Sequence, residues 1–171
     1  MVLKAFKLYP EVRTPQRATE QAACFDLCAY LGQPVFDVEG FFENNKPCKA
    51  EIFDNVSSRH LVIDPGQRLL IPTGIIFDIP EGYSVRLHPR SGLALKEGLV
   101  MANCQGIIDS DYVHETKIMV LNTSTQRLQI YHGDRIAQGE LVKVENYSIT
   151  ETVTKPETKT NRTGGFGSTG V

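Results

Sequence analysis

Asp109 and Asp111 stand two apart in NCQGIIDSDY (103–112). Carboxylates at that spacing can hold a metal ion through water or take a proton from a water nucleophile; they can equally mark a solvated strand end. Asn103 and Gly106, just ahead, predict a hairpin turn. That turn would send Asp109 and Asp111 to one face of a following strand and Tyr112 to the other. A second stretch, HPRSGLA (88–94), places Arg90, Ser91 and Gly92 where a strand gives way to a short helix. Backbone N–H groups, a hydroxyl and a guanidinium gathered there make an anion site, unless Ser91 is a plain N-cap. In AACFDLCAY (22–30), Asp26 interrupts an apolar, period-two run. A carboxylate in such a place needs a cation or a turn to cap. In HGDRIAQ (132–138), Asp134 closes a turn, and Arg135 or Gln138 could face a ligand.

The chain closes on NRTGGFGSTGV (161–171), which combines Arg162, Phe166, Gly167, Ser168 and Thr169. It lacks the Gly-Lys-Ser/Thr step of a P-loop. Glycine, serine and threonine can still form a backbone nest for a phosphate. Phe166 is costly in so polar a tail unless it stacks on something, so both a loose end and a closing flap remain open.

The elements that must position these residues read as strands. LVID (61–64), RLLIPTGIIFDI (68–79), YSVRLH (83–88), TKIMVLN (116–122) and RLQIY (127–131) are rich in Ile, Val, Leu and Tyr and are separated by Gly/Pro turns. Many short strands with that punctuation mean an all-β sandwich, barrel or jelly roll. SGLALKEG (91–98) is the one helical candidate. Residues 32–60 carry Phe36, Phe41, Phe42 and Phe53, too apolar for a disordered linker, and predict an ordered excursion packed on the body. Residues 148–171 are the reverse, rich in Thr, Ser, Gly and Lys, and predict a mobile arm unless a ligand or neighbour holds it. The expected organisation is thus a β domain over 1–147 and a flexible arm over 148–171.

A chain of 171 residues is long enough for one domain with a real core. The net charge of −2 argues against direct nucleic-acid binding or a membrane-surface role, both of which call for a basic excess. No apolar run approaches the ~20 residues of a membrane span, and MVLKAFKLYPEVRTP is too broken by charge and proline for a signal peptide. A cytoplasmic location is expected. The four cysteines are Cys24, Cys28, Cys48 and Cys104. On a strand, Cys24 and Cys28 would lie roughly 13 Å apart, too far to bridge or share a metal. Reduced thiols are expected.

Taken in order, ACFDLCA, PRSGLA, GIIDSDY, GDRIAQ and RTGGFGSTG resemble the five motifs of the homotrimeric deoxyuridine triphosphatase (dUTPase) family, from about residue 22 to 169. The resemblance implies a jelly-roll-like β-clip that forms a homotrimer, with active sites shared between subunits. It implies hydrolysis of dUTP to dUMP and pyrophosphate, with Mg²⁺ on the triphosphate. Asp109 matches the general base that orients water at the α-phosphorus. Asn103 and the backbone through Gly106 match the uracil reader, with Ile107, Ile108 and Lys117 lining the nucleoside pocket. Tyr112 matches the ring under the deoxyribose that excludes a 2′-hydroxyl. Arg90, Ser91 and Gly92 match the triphosphate grip, and Gln138 a phosphate and water contact. Asp26 and Asp109 match carboxylates that reach Mg²⁺ through its waters. Arg162, Phe166, Gly167, Ser168 and Thr169 match the flap, with Phe166 over the uracil and the arginine and hydroxyls on the γ-phosphate.

Three departures stand against that match. DYVHE carries Val113 and His114 where the family has Arg-Gly, Gly139 replaces an apolar residue after the fourth motif, and RTGGFGSTG is one residue short. The 32–60 excursion is longer than usual and could add a protein-binding surface. The rivals are a dCTP deaminase of the same fold, which calls for a Glu in the third motif, and a regulatory protein that uses the nucleotide-bound trimer as a signal. Ammonia release from dCTP tests the first rival. If the tail is a flap, removing residues 162–171 leaves the melting temperature unchanged, because Phe166 and Val171 are its only large apolar groups. The same truncation lowers kcat/KM for dUTP by orders of magnitude, and Phe166→Ala lowers it less. A large fall in melting temperature without substrate would make the segment a structural arm.

Overall fold

Short aliphatic runs fold here as antiparallel strands, and the core is made by every second residue. The structure, a computed structural model, describes residues 1–32, 42–43, 46–47, 51–55, 58–161 and 164. Within them the chain forms β1 (Lys4–Lys7), β2 (Gln16–Arg17), β3 (Phe25–Cys28), β4 (Phe42–Glu43), β5 (Lys46–Pro47), β6 (Glu51–Asn55), β7 (Ser58–Ile63) and β8 (Arg68–Pro72). It continues with β9 (Ile75–Asp78), β10 (Tyr83–Pro89), α1 (Ser91–Lys96), β11 (Leu99–Met101), β12 (Gly106–Ile108), β13 (Lys117–Asn122), β14 (Leu128–Tyr131) and β15 (Arg135–Lys143). Two sheets have five strands each, ordered β12-β10-β15-β3-β2 and β11-β13-β8-β4-β5. A three-stranded sheet, β14-β7-β6, and the pair β1-β9 complete the architecture. This is the all-β class the sequence implies, with one short helix.

Leu27, Val85, Leu87 and Ala137 from the first sheet share a single buried cluster with Leu69, Ile71, Ile118 and Val120 from the second. Alternation then sends the other face of the first sheet outward. Arg86 and His88 on β10 project there beside Glu140 and Gln138, their register partners on β15. The RLLIPTGIIFDI run is two strands because its halves join different sheets: β8 pairs with β13, and β9 with β1. At the break, the Thr73 hydroxyl donates to the Thr116 carbonyl, and the Gly74 N–H donates to Glu115 Oε1 at 2.7 Å.

The described parts of the 32–60 excursion pair onto the body. Phe42 sits opposite Arg68 on β8, and β6 pairs along β7 from Glu51↔Val62 to Asn55↔Ser58. Phe36 and Phe41 lie outside the described residues. Residues 148–161 are exposed throughout and form no strand or helix. Among the described residues, no helix is long and apolar enough to cross a membrane.

Asn122 ends β13 fully buried, yet each of its polar atoms is used. Its Nδ2 donates to the carbonyls of Ile63 (2.9 Å) and Gln126 (2.7 Å), and its Oδ1 accepts from Ser124 N and Ser124 Oγ. One amide thus ties β7 to the turn before β14. Asn122→Ala strands those buried partners and is expected to cost about 2–4 kcal/mol, read as a lower urea midpoint. A loss under ~0.5 kcal/mol would mean that the turn holds itself.

Candidate active site

Arg90 occupies the N-cap of α1 with extended backbone (φ −87°, ψ 125°) and no side-chain cap bond. Ser91 is therefore the first helical residue and not the cap, which leaves its hydroxyl clear of that duty. Ser91 and Gly92 are exposed, and a first helical turn leaves its N–H groups without intrahelical partners. A Cβ on Gly92 would meet nothing within 4 Å, so the chain's own packing does not call for glycine there.

The Arg90 side chain is held from two sides. Its Nε lies 3.3 Å from Asp26 Oδ1, and its Nη1 donates to the Arg135 carbonyl at 3.0 Å. Arg135 Nη1 donates to Asp26 Oδ2 at 3.2 Å. Asp26 therefore sits between two guanidiniums, with its side chain 14% exposed. Asp26 Oδ1 and Arg90 Nε are both buried and meet without hydrogen-bond geometry, so charge alone joins them. Gln138 faces Asp26 on one side and His88 on the other, which puts all three on one face of the sheet. Arg90 and Arg135 also line a groove of about 930 Å³ whose apolar wall includes Leu93, Leu128, Ile130 and Ile136.

Cys24 and Cys28 flank Asp26 along β3. Burial pushes both thiols up from their ordinary value; Glu140 and Asp26 add to this at Cys24, and at Cys28 burial outweighs Arg13. Both are free thiols, kept protonated and poorly nucleophilic. Cys48 lies outside the described residues. Among the described residues, no three His, Cys, Asp or Glu side chains converge on a metal position. An ion carried on a ligand would find a carboxylate to accept from its waters at exposed Asp109, and a second at Asp26, whose side chain is 14% exposed.

The other predicted residues gather elsewhere, and here the hairpin reading needs correction. β11 and β12 do not pair with each other: β11 pairs with β13, and β12 with β10. The Asn103 turn, with Cys104 at φ 58°, carries the chain from one sheet to the other. Gly106 opens β12 pressed onto Leu87, where an added Cβ would come within 3.0 Å. Asp109 and Asp111 are not on a strand either. β12 stops at Ile108, and the Tyr112 N–H closes a turn onto the Asp109 carbonyl at 3.1 Å. Short Asp and Ser side chains favour such turns over a ladder. Asn103, Ile107, Asp109 and Tyr112 are exposed together on this segment, and Lys117 begins β13 just beyond. Arg162, Phe166, Gly167, Ser168 and Thr169 lie outside the described residues.

The register of β10 keeps the two groups apart. Ile108 pairs with Val85, so Asp109 leaves the strand level with Ser84, while Arg90 follows the far end of β10. At strand rise that is roughly 20 Å, beyond the joint reach of the two side chains. Within one chain the Asp109 carboxylate and the Arg90 guanidinium cannot touch the same atom of a ligand.

The sequence model of the dUTPase family matches residues 42–170. The chain belongs to the dUTPase family. It is 42% identical over 141 residues to the deoxyuridine 5′-triphosphate nucleotidohydrolase of Rhizobium rhizogenes, covering 82% of this chain and 86% of that one. It is 49% identical over 110 residues to the enzyme of the same name from Finegoldia magna, covering 64% and 76%. In fold it resembles a Staphylococcus bacteriophage 80alpha dUTPase mutant with dUpNHpp (TM-score 0.74, 21% identity, 99% of both chains). It also resembles the Streptococcus mutans dUTPase (TM-score 0.64, 23% identity, 85% of this chain and 98% of that one).

Two of the departures from the dUTPase motifs now have a physical setting. In DYVHE, Glu115 anchors the Gly74 N–H, and the Tyr112 hydroxyl donates to the Glu115 carbonyl. His114 meets the Tyr112 ring edge-on at 5.5 Å. Gly139 is the register partner of Phe25, and a Cβ there would sit 2.4 Å from the Phe25 ring. That ring, packed against Phe77, fills the space a side chain at 139 would need. Gly139→Leu, which restores the family's apolar residue, should therefore destabilise by about 1–3 kcal/mol in urea unfolding. The Phe25→Ala/Gly139→Leu pair should recover most of that loss. Equal stability of the single variant and the parent would show that the ring moves freely aside.

Proposed function

We propose that the chain hydrolyses dUTP to dUMP and pyrophosphate by in-line attack of water on the α-phosphorus, keeping uracil out of DNA and supplying dUMP for thymidylate synthesis. The observation that carries this reading is the end of β10. There two guanidiniums share one carboxylate beside the open N–H groups of α1, leaving net positive charge where a triphosphate's negative charge builds up. Arg90 and the Ser91 and Gly92 amides grip the phosphates, and Gln138 orients water beside them. Asp109 takes the proton from the attacking water. Asn103 and the Gly106 backbone read the uracil edge against Ile107, Ile108 and Lys117, and Tyr112 packs under the deoxyribose. Asp26 and Asp109 would hold a Mg²⁺ on the triphosphate through its waters, and the ion would offset phosphate charge.

The separation along β10 favours a complete site assembled between copies, with Asp109 from one chain and the Arg90 grip from another. This supports the homotrimer that the family motifs imply. The tail motif, Arg162 and Phe166 to Thr169, closes over the bound nucleotide and excludes water. The reading keeps the cytoplasmic location expected from the sequence.

Asp109→Asn should lower kcat by about 10²–10⁴-fold with dUTP binding retained; a wild-type kcat would remove Asp109 from the role of base. Arg90→Gln should also be nearly inactive. If sites are shared, unfolding the two variants together and refolding the mixture restores up to about a quarter of wild-type turnover, the fraction of randomly assembled sites that draw both intact residues. No recovery on mixing, with trimers present by light scattering, would mean that each site uses one chain for both residues.

A further inference from the structure

We propose that Arg135 is a positioning residue for Arg90, acting through the Asp26 carboxylate and through its own backbone carbonyl; this rests on the reading of the Arg90 end as a phosphate grip. Arg90 is a long side chain at a strand end, and nothing in its extended backbone aims the guanidinium. Two contacts do so: Nε against Asp26 Oδ1, and Nη1 to the Arg135 carbonyl. A guanidinium has five N–H donors, so the others remain for phosphate oxygens.

The Asp26 carboxylate is the hazard in this arrangement. An aspartate beside a single arginine turns to face it and takes two N–H groups in a bidentate pair. That would consume donors and cancel the charge that a triphosphate needs. Arg135 Nη1 on Oδ2 holds the carboxylate so that only Oδ1 meets Arg90, and through Nε alone. The group then carries two positive charges to one negative. Without Arg135 it becomes a neutral pair. The Arg135 side chain is 53% exposed, so a direct contact between Arg135 and the phosphates is the rival explanation, and the experiment separates the two.

The full-length wild type, Arg135→Gln, Arg135→Lys, the Asp26→Asn/Arg90→Gln double and the Asp26→Asn/Arg90→Gln/Arg135→Gln triple are compared for kcat, KM and melting temperature with dUTP. Arg135→Gln should lower kcat/KM about 10-fold, chiefly through KM, without lowering the melting temperature. Arg135→Lys should recover part of the loss, because an ammonium can hold the same carboxylate. The triple, in which no carboxylate is left unpaired, should be no worse than the Asp26→Asn/Arg90→Gln double, since a group that acts through Arg90 has nothing left to position. A further loss in the triple would overturn the proposal in favour of direct phosphate contact. An unchanged KM in Arg135→Gln would overturn it outright, and a fall in melting temperature that tracks activity would reduce Arg135 to a structural ion pair. A wild type that does not hydrolyse dUTP would fail the functional reading alone. The coupling is then measured as calorimetric binding of inorganic tripolyphosphate, where the same non-additivity is expected and independent losses would overturn the proposal.

Discussion

A β-strand advances about 3.3 Å per residue whatever its sequence, and that rise governs the geometry of this site. β10 is clamped on both sides, by β12 and by β15, each in a fixed antiparallel register. A slip of one residue would turn Val85 and Leu87 out of the core and Arg86 and His88 into it, so the register cannot adjust. With the register locked, the ends of β10 act as two ends of a ruler. One carries the Asp109 turn, the other the Arg90 cap. On the proposed reading the site is divided into halves, and that division follows from the ladder.

The Arg90 half shows how a sheet can present cations without letting them neutralise one another's counter-ion. Asp26 comes from β3, Arg135 from the start of β15 and Arg90 from just beyond β10. These are three adjacent strands of one sheet, so their spacing is set by backbone hydrogen bonds. The ladder therefore holds one anion between two cations, a geometry that flexible loops would relax. Buried charge survives there because it is paired, and both guanidiniums line the groove beside Glu97 and Asp134.

Much of this was legible in the sequence. Runs of Leu, Ile, Val and Tyr marked β7 to β10, β13 and β14, and SGLALKEG marked the helix, because those patterns are local; β15, the longest strand, was not marked. The motifs pointed to Asp26, Arg90, Asp109 and Gln138 as residues with chemistry. What period-two reading could not tell is which sheet a strand joins. It sent Asp109 and Asp111 along a strand and closed a hairpin at Asn103, where the chain instead crosses between sheets and turns. Nor could spacing reveal the Asp26–Arg135 contact or the four bonds of Asn122. Those partners are distant in the chain, and only the packed sheets bring them together. The sequence left Ser91 open between an anion site and a cap; the strand–helix junction falls one residue earlier, with Arg90 as the cap.

Phe25 and Gly139 are neighbours across the β3–β15 ladder, one large and one absent side chain sharing a single space. The pair couples how the sequence can drift. A descendant that enlarges position 139 first must pass through an overpacked sheet, and one that first shrinks Phe25 must pass through a cavity. Either single step is costly, so bulk moves between the two positions only as a matched exchange, and a lineage holding Phe25 keeps its glycine.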